Sequence, residues 1–232
     1  MSEQPPISIA FLMFDGITQL DLMGPAQVLS RLGNTTVHLV AKDLDPVSTD
    51  SGFPLLPTAT MDEVKAADIL CVPGGFGTLD VMKDTRSLDW VRNIATTATW
   101  ITSVCTGSLI LGAAGLLKGY KAACHWASRD QLAYFGAIPT AERIVFDRNR
   151  ASGGGVTSGI DFGLALAAEI RGEAYAKFIQ LSLEYDPDPP FSSGSPDKAE
   201  EKTLRQYHDM VNKFAPDRDQ IVQKIAKDLG FN

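Results

Sequence analysis

Cysteine and histidine are scarce in this chain, three of each among 232 residues, and the scarcity narrows its chemistry. Three cysteines cannot pair into a complete disulfide framework, and none stands in a C-x-x-C pair of the kind that binds zinc. No run approaches the roughly 18 consecutive apolar residues that a membrane-spanning helix needs. Basic residues are outnumbered, with 21 Lys and Arg against 28 Asp and Glu, and the formal charge is −7. That balance argues against the broad positive footprint of a nucleic-acid binder. The opening MSEQPPIS lacks the basic and apolar regions of a signal peptide. A cytoplasmic location is expected, where thiols stay reduced.

What the chain has is the composition of an ordinary globular α/β domain, 44% hydrophobic and 21% charged, long enough to bury a core without disulfides or metals. Continuous apolar runs at ISIAFLMF (7–14), TTVHLVAK (35–42), DILCVPGG (68–75) and TWITSV (99–104) read as buried strands. Helical patterns lie between them, at LMGPAQVLSRLG with Pro25 near its start, and at SLDWVRNIATTA (87–98). VSTDSGFPLLPTAT (47–60) reads as a hairpin, KAACHW as a further strand, SRDQLAYF as a short helix, and RIVFD with RASGG as a hairpin-like pair. Residues 156–170 and 173–185 read as helices. Strands alternating with helices imply a mostly parallel, doubly wound sheet. A Pro-rich segment, DPDPPFSSGSPDKA (186–199), precedes about 33 residues, charged and helical in pattern, too few for a typical domain. One domain spanning 1–232 is expected, with residues 186–232 packed on it or on a second subunit.

The informative stretch is SVCTG, residues 103–107, where a β-branched run gives way to a helix. It fits the G-x-S-x-G nucleophile elbow, with Ser103 at the first Gly and Cys105 as the nucleophile. The turn pushes the side chain out of the sheet, and the free N–H groups of the following helix favour a thiolate. Open α/β sheets bind ligands at this carboxyl edge. On the same edge PGGFG (73–77) places Gly75, whose N–H with that of Thr106 would form an oxyanion-hole-type site; alternatively the glycines only make a tight turn. Asp15 precedes Gly16 like a solvated turn residue. Asp21, between leucines in QLDLMGP, is either a desolvated acid/base or a helix N-cap ahead of Pro25. His125 either assists the thiol or is a hydrogen-bonded core histidine. Cys71 and Cys124 sit in apolar stretches as small hydrophobes. SGGGVTSG (152–159) lacks the Lys of a phosphate loop and dinucleotide glycine spacing, so no cofactor is expected.

Taken together, SVCTGSLILGAAGLLKGYKAACHW, VPGGFG, QLDLMGP, SGGGVTSGIDFGLALAAE and EYDPDPPFSSGSP resemble the PfpI-like superfamily, which includes the Parkinson-disease deglycase. The Asp within QLDLMGP and the EYDPDPPF segment resemble its isocyanide hydratase branch. The resemblance runs from about residue 7 to beyond 200. It implies a flavodoxin-like three-layer sandwich, helices on both faces of a mostly parallel sheet, and a homodimer. It implies Cys105 as nucleophile and Asp21 as the interacting acid. Thr106 stands where peptidase-like members carry His, which speaks against proteolysis. Catalytic roles are thus expected for Cys105, Asp21, Thr106 and Gly75, and substrate-lining roles for His125, Gly154 and Val156. The implied reaction hydrates a small isocyanide, R–N≡C, to an N-substituted formamide through a thioimidate on Cys105, with no metal or organic cofactor, nucleic acid or membrane. Two alternatives use the same residues: a domain related to AraC-type regulators, and a glyoxal-type deglycase or redox sensor. Cys105 is expected to be the fast-reacting thiol of the three. Brief alkylation of native protein followed by peptide mass mapping checks this, and equal labelling of Cys71 and Cys124 refutes it.

Overall fold

The computed structural model describes residues 4–231. In chain order the elements are β1 (Ile7–Leu12), α1 (Gln19–Leu29), β2 (Thr35–Ala41), β3 (Val47–Ser48), β4 (Pro54–Leu55), β5 (Ala59–Thr60) and β6 (Ile69–Val72). There follow α2 (Thr78–Val81), α3 (Thr85–Ala95), β7 (Trp100–Val104), α4 (Gly107–Ala113), β8 (Lys121–Ala122), a 3-10 helix (Arg129–Phe135) and β9 (Ile138–Pro139). The chain closes with β10 (Ile144–Asp147), β11 (Arg150–Gly153), α5 (Ser158–Arg171), α6 (Glu173–Ser182), α7 (Glu201–Phe214) and α8 (Arg218–Asp228).

Seven strands form the central sheet in the order β10-β11-β7-β6-β1-β2-β5. All its neighbours pair in parallel except β10, which runs antiparallel to β11 at one edge. β1, β6 and β7 lie in the middle and read as unbroken apolar runs because helices cover both of their faces. Ile9, Phe11 and Leu12 of β1 are fully buried, and such side chains stabilise the fold by about 1.5–3 kcal/mol each. One group of helices is α1, α5 and α6; a second comprises α2, α3, α4, the 3-10 helix and α8. This is the mostly parallel, flavodoxin-like sandwich. Every residue of α4 is buried, which its sequence GSLILGA permits because Ser108 is its one polar side chain. α3 shows the opposite logic: it buries Leu88, Val91 and Ile94 along one stripe, and Asp84 caps its start by accepting the Ser87 N–H at 2.9 Å.

Glycines bring α1 and α5 together. A Cβ at Gly159 would lie 2.9 Å from Pro25 Cδ, and one at Gly163 would lie 3.0 Å from Val28 Cβ. Small residues here let the helices approach closely. The side chain of Asp21, in the first turn of α1, is thereby fixed over the end of β7.

Two local expectations change. α1 begins at Gln19 after Thr18 rather than near Pro25, so Pro25 lies inside the helix and Asp21 is not its N-cap. The turn is already closed there, since the Asp21 N–H donates to Thr18 O at 3.0 Å. Nor does KAACHW form a strand of the main sheet. Only Lys121–Ala122 is extended, and it pairs with β9. The reason is a set of side-chain substitutes: Ala123 donates its N–H to Ser152 Oγ at 2.8 Å and accepts from Ser108 Oγ at 2.6 Å. His125 therefore stands in a loop rather than at a strand end.

Residues 186–200 have no helix or strand and are mostly exposed. Beyond them α8 buries Val222, Ile225 and Ala226. It is tied to the 3-10 helix through Asp219, which accepts from Tyr134 Oη at 2.8 Å and Gln131 Nε2 at 3.4 Å. Phe231 meets Phe135 edge-on, with centroids 5.3 Å apart.

Candidate active site

Cys105 follows the last residue of β7 and has a left-handed backbone, φ 58°. A side chain larger than Gly in that region carries strain of about 1–3 kcal/mol. The surroundings hold it there. Its N–H donates to Gly153 O of β11 at 3.0 Å. Gly107, two residues on, is pressed so tightly on the end of β6 that a Cβ would fall 2.0 Å from Val72 O. Ser103 Oγ and Ser108 Oγ lie 2.9 Å apart across the turn, and Ser108 continues to Ala123 O, stitching the elbow to the loop that carries Cys124 and His125.

Asp21 meets the sulfur from the other side. Its carboxyl group is fully buried, with Oδ2 accepting the Gly74 N–H at 3.0 Å and a hydrogen bond linking it to the Cys105 thiol. Oδ1 has no hydrogen-bond partner among the described residues. Burial raises the Asp21 pKa to about 7, against the opposing pull of the Gly74 N–H and the thiol. Gly74 is confined by this contact: a Cβ there would lie 2.5 Å from Thr106 N and 3.0 Å from Asp21 Oδ2.

The thiol departs from expectation. Its pKa lies above the usual value, because burial and the neighbouring Asp21 outweigh the Thr106 N–H at the helix start. Both groups are thus pushed toward their protonated forms. The pair holds two protons below a pH of about 7 and one above it, where the ionised Asp21 can take up the thiol proton. Cys71 and Cys124 are pushed up to about 12 by burial. Gly75 differs as well. Its N–H, expected to turn toward the sulfur, instead donates to Thr106 Oγ1 at 3.0 Å. Thr106 Oγ1 also lies 2.8 Å from Thr78 Oγ1, which donates to Gly75 O at 2.7 Å. This closed ring of bonds spends the Gly75 N–H on holding the two turns together, so it is not a free oxyanion donor.

His125, Gly154 and Val156 line one cleft of ≈ 1320 Å³, with Cys124, Trp126 and Arg129. Residues 187–189 of the Pro-rich segment and Phe191 form another part of its wall. Cys105, 5% exposed, is joined to the cleft wall through its N–H bond to Gly153, the residue before the lining Gly154. His125 accepts the Ala127 N–H on Nδ1 at 3.3 Å, and its ring stacks on Tyr207 at 6.1 Å. Burial and the charge of Arg218 lower its pKa, so it is neutral at pH 7. It lines the cleft; no hydrogen bond joins it to Cys105 among the described residues.

Three further residues lie near the pair without having been assigned a role from the sequence. Gly74, Tyr207 and Arg218 reach it from the β6–α2 turn, α7 and α8. The charges of Tyr207 and Arg218 interact with that of Cys105. The spacing of Leu204, Tyr207 and Val211, each half-buried, was the available hint that α7 turns one face toward the domain.

The DJ-1/PfpI family model matches residues 7–169, a span that contains the elbow, Asp21 and the Gly74–Gly75 turn. The chain belongs to the DJ-1/PfpI family. Among curated relatives, an isonitrile hydratase of Pseudomonas putida is 47% identical over 225 residues, covering 97% of this chain and 99% of the relative. The crystal structure of a ThiJ/PfpI family protein from Pseudomonas syringae superposes with a TM-score of 0.91 at 45% identity, over 97% of this chain and 92% of that one. An HTH-type transcriptional regulator of Pseudomonas aeruginosa, CdhR, is 29% identical over 64% of this chain but only 44% of its own length.

Burial of Asp21 couples stability to pH. The unfolded carboxyl titrates near 3.8 and the folded one at about 7, so the native state holds the extra proton between those values. Its contribution is fully present below pH 4 and is lost as pH rises through 7, a change of about 4 kcal/mol. Asp21→Asn removes this dependence. Its stability relative to the native protein, measured by urea unfolding, is expected to improve from pH 5 to pH 8; a constant difference refutes the buried, raised carboxyl.

Proposed function

We propose that this protein is an isocyanide hydratase, a cofactor-independent hydro-lyase that converts R–N≡C and water to R–NH–CHO. The observation that carries the reading is the buried Cys105–Asp21 pair with one exchangeable proton, in a chain nearly half identical over its whole length to an isonitrile hydratase. Isocyanide hydration asks for a nucleophile and an acid at the same carbon. The pair supplies both.

In the first half-reaction the thiol proton passes to Asp21 and the sulfur attacks the terminal isocyanide carbon. A C–S bond forms, and that carbon takes the proton from Asp21, giving the thioimidate R–N=CH–S–Cys105. In the second, the ionised Asp21 accepts a proton from water as its oxygen adds to the same carbon. Asp21 returns that proton to the nitrogen, giving R–NH–CH(OH)–S–Cys105. The C–S bond then breaks with loss of the hydroxyl proton to the pair, releasing the formamide and restoring Cys105. Thr106 supports the sulfur through its N–H, and Gly75 supports Thr106 through the hydroxyl. His125, Gly154 and Val156 receive the R group.

The enzyme is further proposed to act as a cytoplasmic homodimer. Three free cysteines suit a reducing compartment. Met23 of α1 and Phe178 and Leu181 of α6 expose large apolar side chains within one helical group, and such surface is suited to association. Light scattering that returns a monomer at micromolar concentration overturns this assignment.

Purified protein assayed side by side with an alkyl isocyanide and methylglyoxal is expected to form the formamide and to leave the aldehyde at or near background. Cys105→Ala abolishes turnover. Asp21→Asn lowers it on the order of 10²–10⁴-fold at matched thiolate fraction. The pair reaches its singly protonated form as pH rises through about 7, so the rate climbs across that range and levels above it, and Asp21→Asn lacks this inflection. Near-normal formamide production by Asp21→Asn removes it as the obligatory acid.

A further inference from the structure

Arg218 is the first residue of α8, preceded by Asp217 in a left-handed conformation, φ 56°. The next residue, Asp219, is clamped to the 3-10 helix by Tyr134 and Gln131, which fixes where the Arg218 side chain leaves the helix. Its Nε and one terminal nitrogen, Nη2, are buried and have no hydrogen-bond partner. Those two nitrogens form the side edge of the guanidinium, the edge whose parallel N–H groups match the two oxygens of a carboxylate.

A guanidinium edge withdrawn from water is costly unless something accepts its hydrogens and offsets its charge. The chain supplies no such group: among the described residues Arg218 makes no ion pair, and the adjacent Asp219 is spent on Tyr134 and Gln131. In a protein of formal charge −7 a half-buried arginine with one edge buried and unpaired is unexpected on composition alone. Its charge acts on groups of the site. Its electrostatic partners are Cys124, Cys105 and Tyr207, and His125 feels it from the cleft side. Arg129, a wall of the same cleft, adds a second positive charge near Cys124. The remaining surroundings are aromatic, with Trp126 and Tyr207 rings 4.8 Å apart.

We propose that Arg218 binds a carboxylate on the substrate, so that the site takes isocyanides bearing an acid group close to the isocyanide nitrogen. This assignment rests on the hydration reading. The carboxylate fills the open guanidinium edge, the isocyanide carbon meets Cys105, and the short chain between them lies against Tyr207 and His125. The acid group is a spectator: hydration forms and breaks bonds at the isocyanide carbon and nitrogen alone.

The test uses two compounds that differ in one charge, isocyanoacetate and its methyl ester, with native protein, Arg218→Met and Arg218→Lys. Native protein is expected to favour the acid in kcat/KM. Arg218→Met lowers the acid-to-ester ratio on the order of 10–100-fold, chiefly through KM for the acid. Arg218→Lys, which keeps the charge and loses the parallel edge, falls between. Circular dichroism and unfolding midpoints report whether each variant is folded, and the ratio is internally corrected for any common loss of active enzyme. A native enzyme that prefers the ester, or a ratio unchanged in Arg218→Met, overturns the proposal. If neither compound is hydrated, the hydration reading fails instead. Binding then decides for Arg218: N-formylglycine protecting the Cys105 thiol from alkylation in native protein but not in Arg218→Met upholds the carboxylate site, and equal or absent protection refutes it.

Discussion

A cysteine at φ 58° sits in a backbone region that costs about 1–3 kcal/mol, and it stays there because its neighbours leave it no alternative. The Cys105 N–H is held by β11, Gly107 is wedged under the last carbonyls of β6, and Gly74 closes in on Thr106 and Asp21. Each contact needs a glycine or a small side chain, since a Cβ at either glycine would come within 2.5 Å of backbone. The parallel sheet supplies the frame. β6, β7 and β11 end at one edge, and the turns after them converge on one sulfur. The same convergence explains the cost of the site, because groups that meet this closely are removed from water together.

Burial then dictates the chemistry. A lone thiolate at this depth is disfavoured, and so is a lone carboxylate. The pair resolves this by keeping a proton between them, with the Gly74 N–H on one partner and the Thr106 N–H on the other. A reactive thiol therefore does not depend here on a simple lowering of its pKa by a helix start. It depends on the acid next to it being willing to hold the proton, which is the condition an addition to an isocyanide carbon requires. Fold and elbow are shared across the DJ-1/PfpI family and do not distinguish one activity from another; the identity and depth of the acid give this site its character.

The central strands and the elbow were legible because their signals are local and steep. β1, β6 and β7 are unbroken apolar runs, and SVCTG combines a nucleophile with the small residues a tight turn demands. Asp21 was legible as desolvated for the same reason, being set between leucines. The start of α1 was misjudged because Pro25 outweighed a weak first turn whose closure depends on Thr18 and on Gly74, 53 residues from Asp21. KAACHW looked like a strand by composition, but two serine-mediated bonds satisfy the Ala123 backbone in another geometry. The expected role of the Gly75 N–H was reversed by the Thr106 hydroxyl, whose direction no spacing rule encodes. Tyr207 and Arg218 were missed because they come from amphipathic helices far along the chain, where spacing marks an inward face but not what that face meets.

The placement of α7 and α8 also sets a timetable. Sheet, elbow and acid are specified by the first three-quarters of the chain, through α5, and domains tend to collapse as they leave the ribosome, at roughly 5–20 residues per second. Tyr207 and Arg218, whose charges act on Cys105, arrive about a hundred positions after it, which is on the order of 5–20 seconds of synthesis at that pace. During that interval the nascent polypeptide carries the elbow and Cys105 without the aromatic and cationic side chains of α7 and α8. Assembly of the pocket thus has two stages in time, a scaffold made early and an enclosure added last.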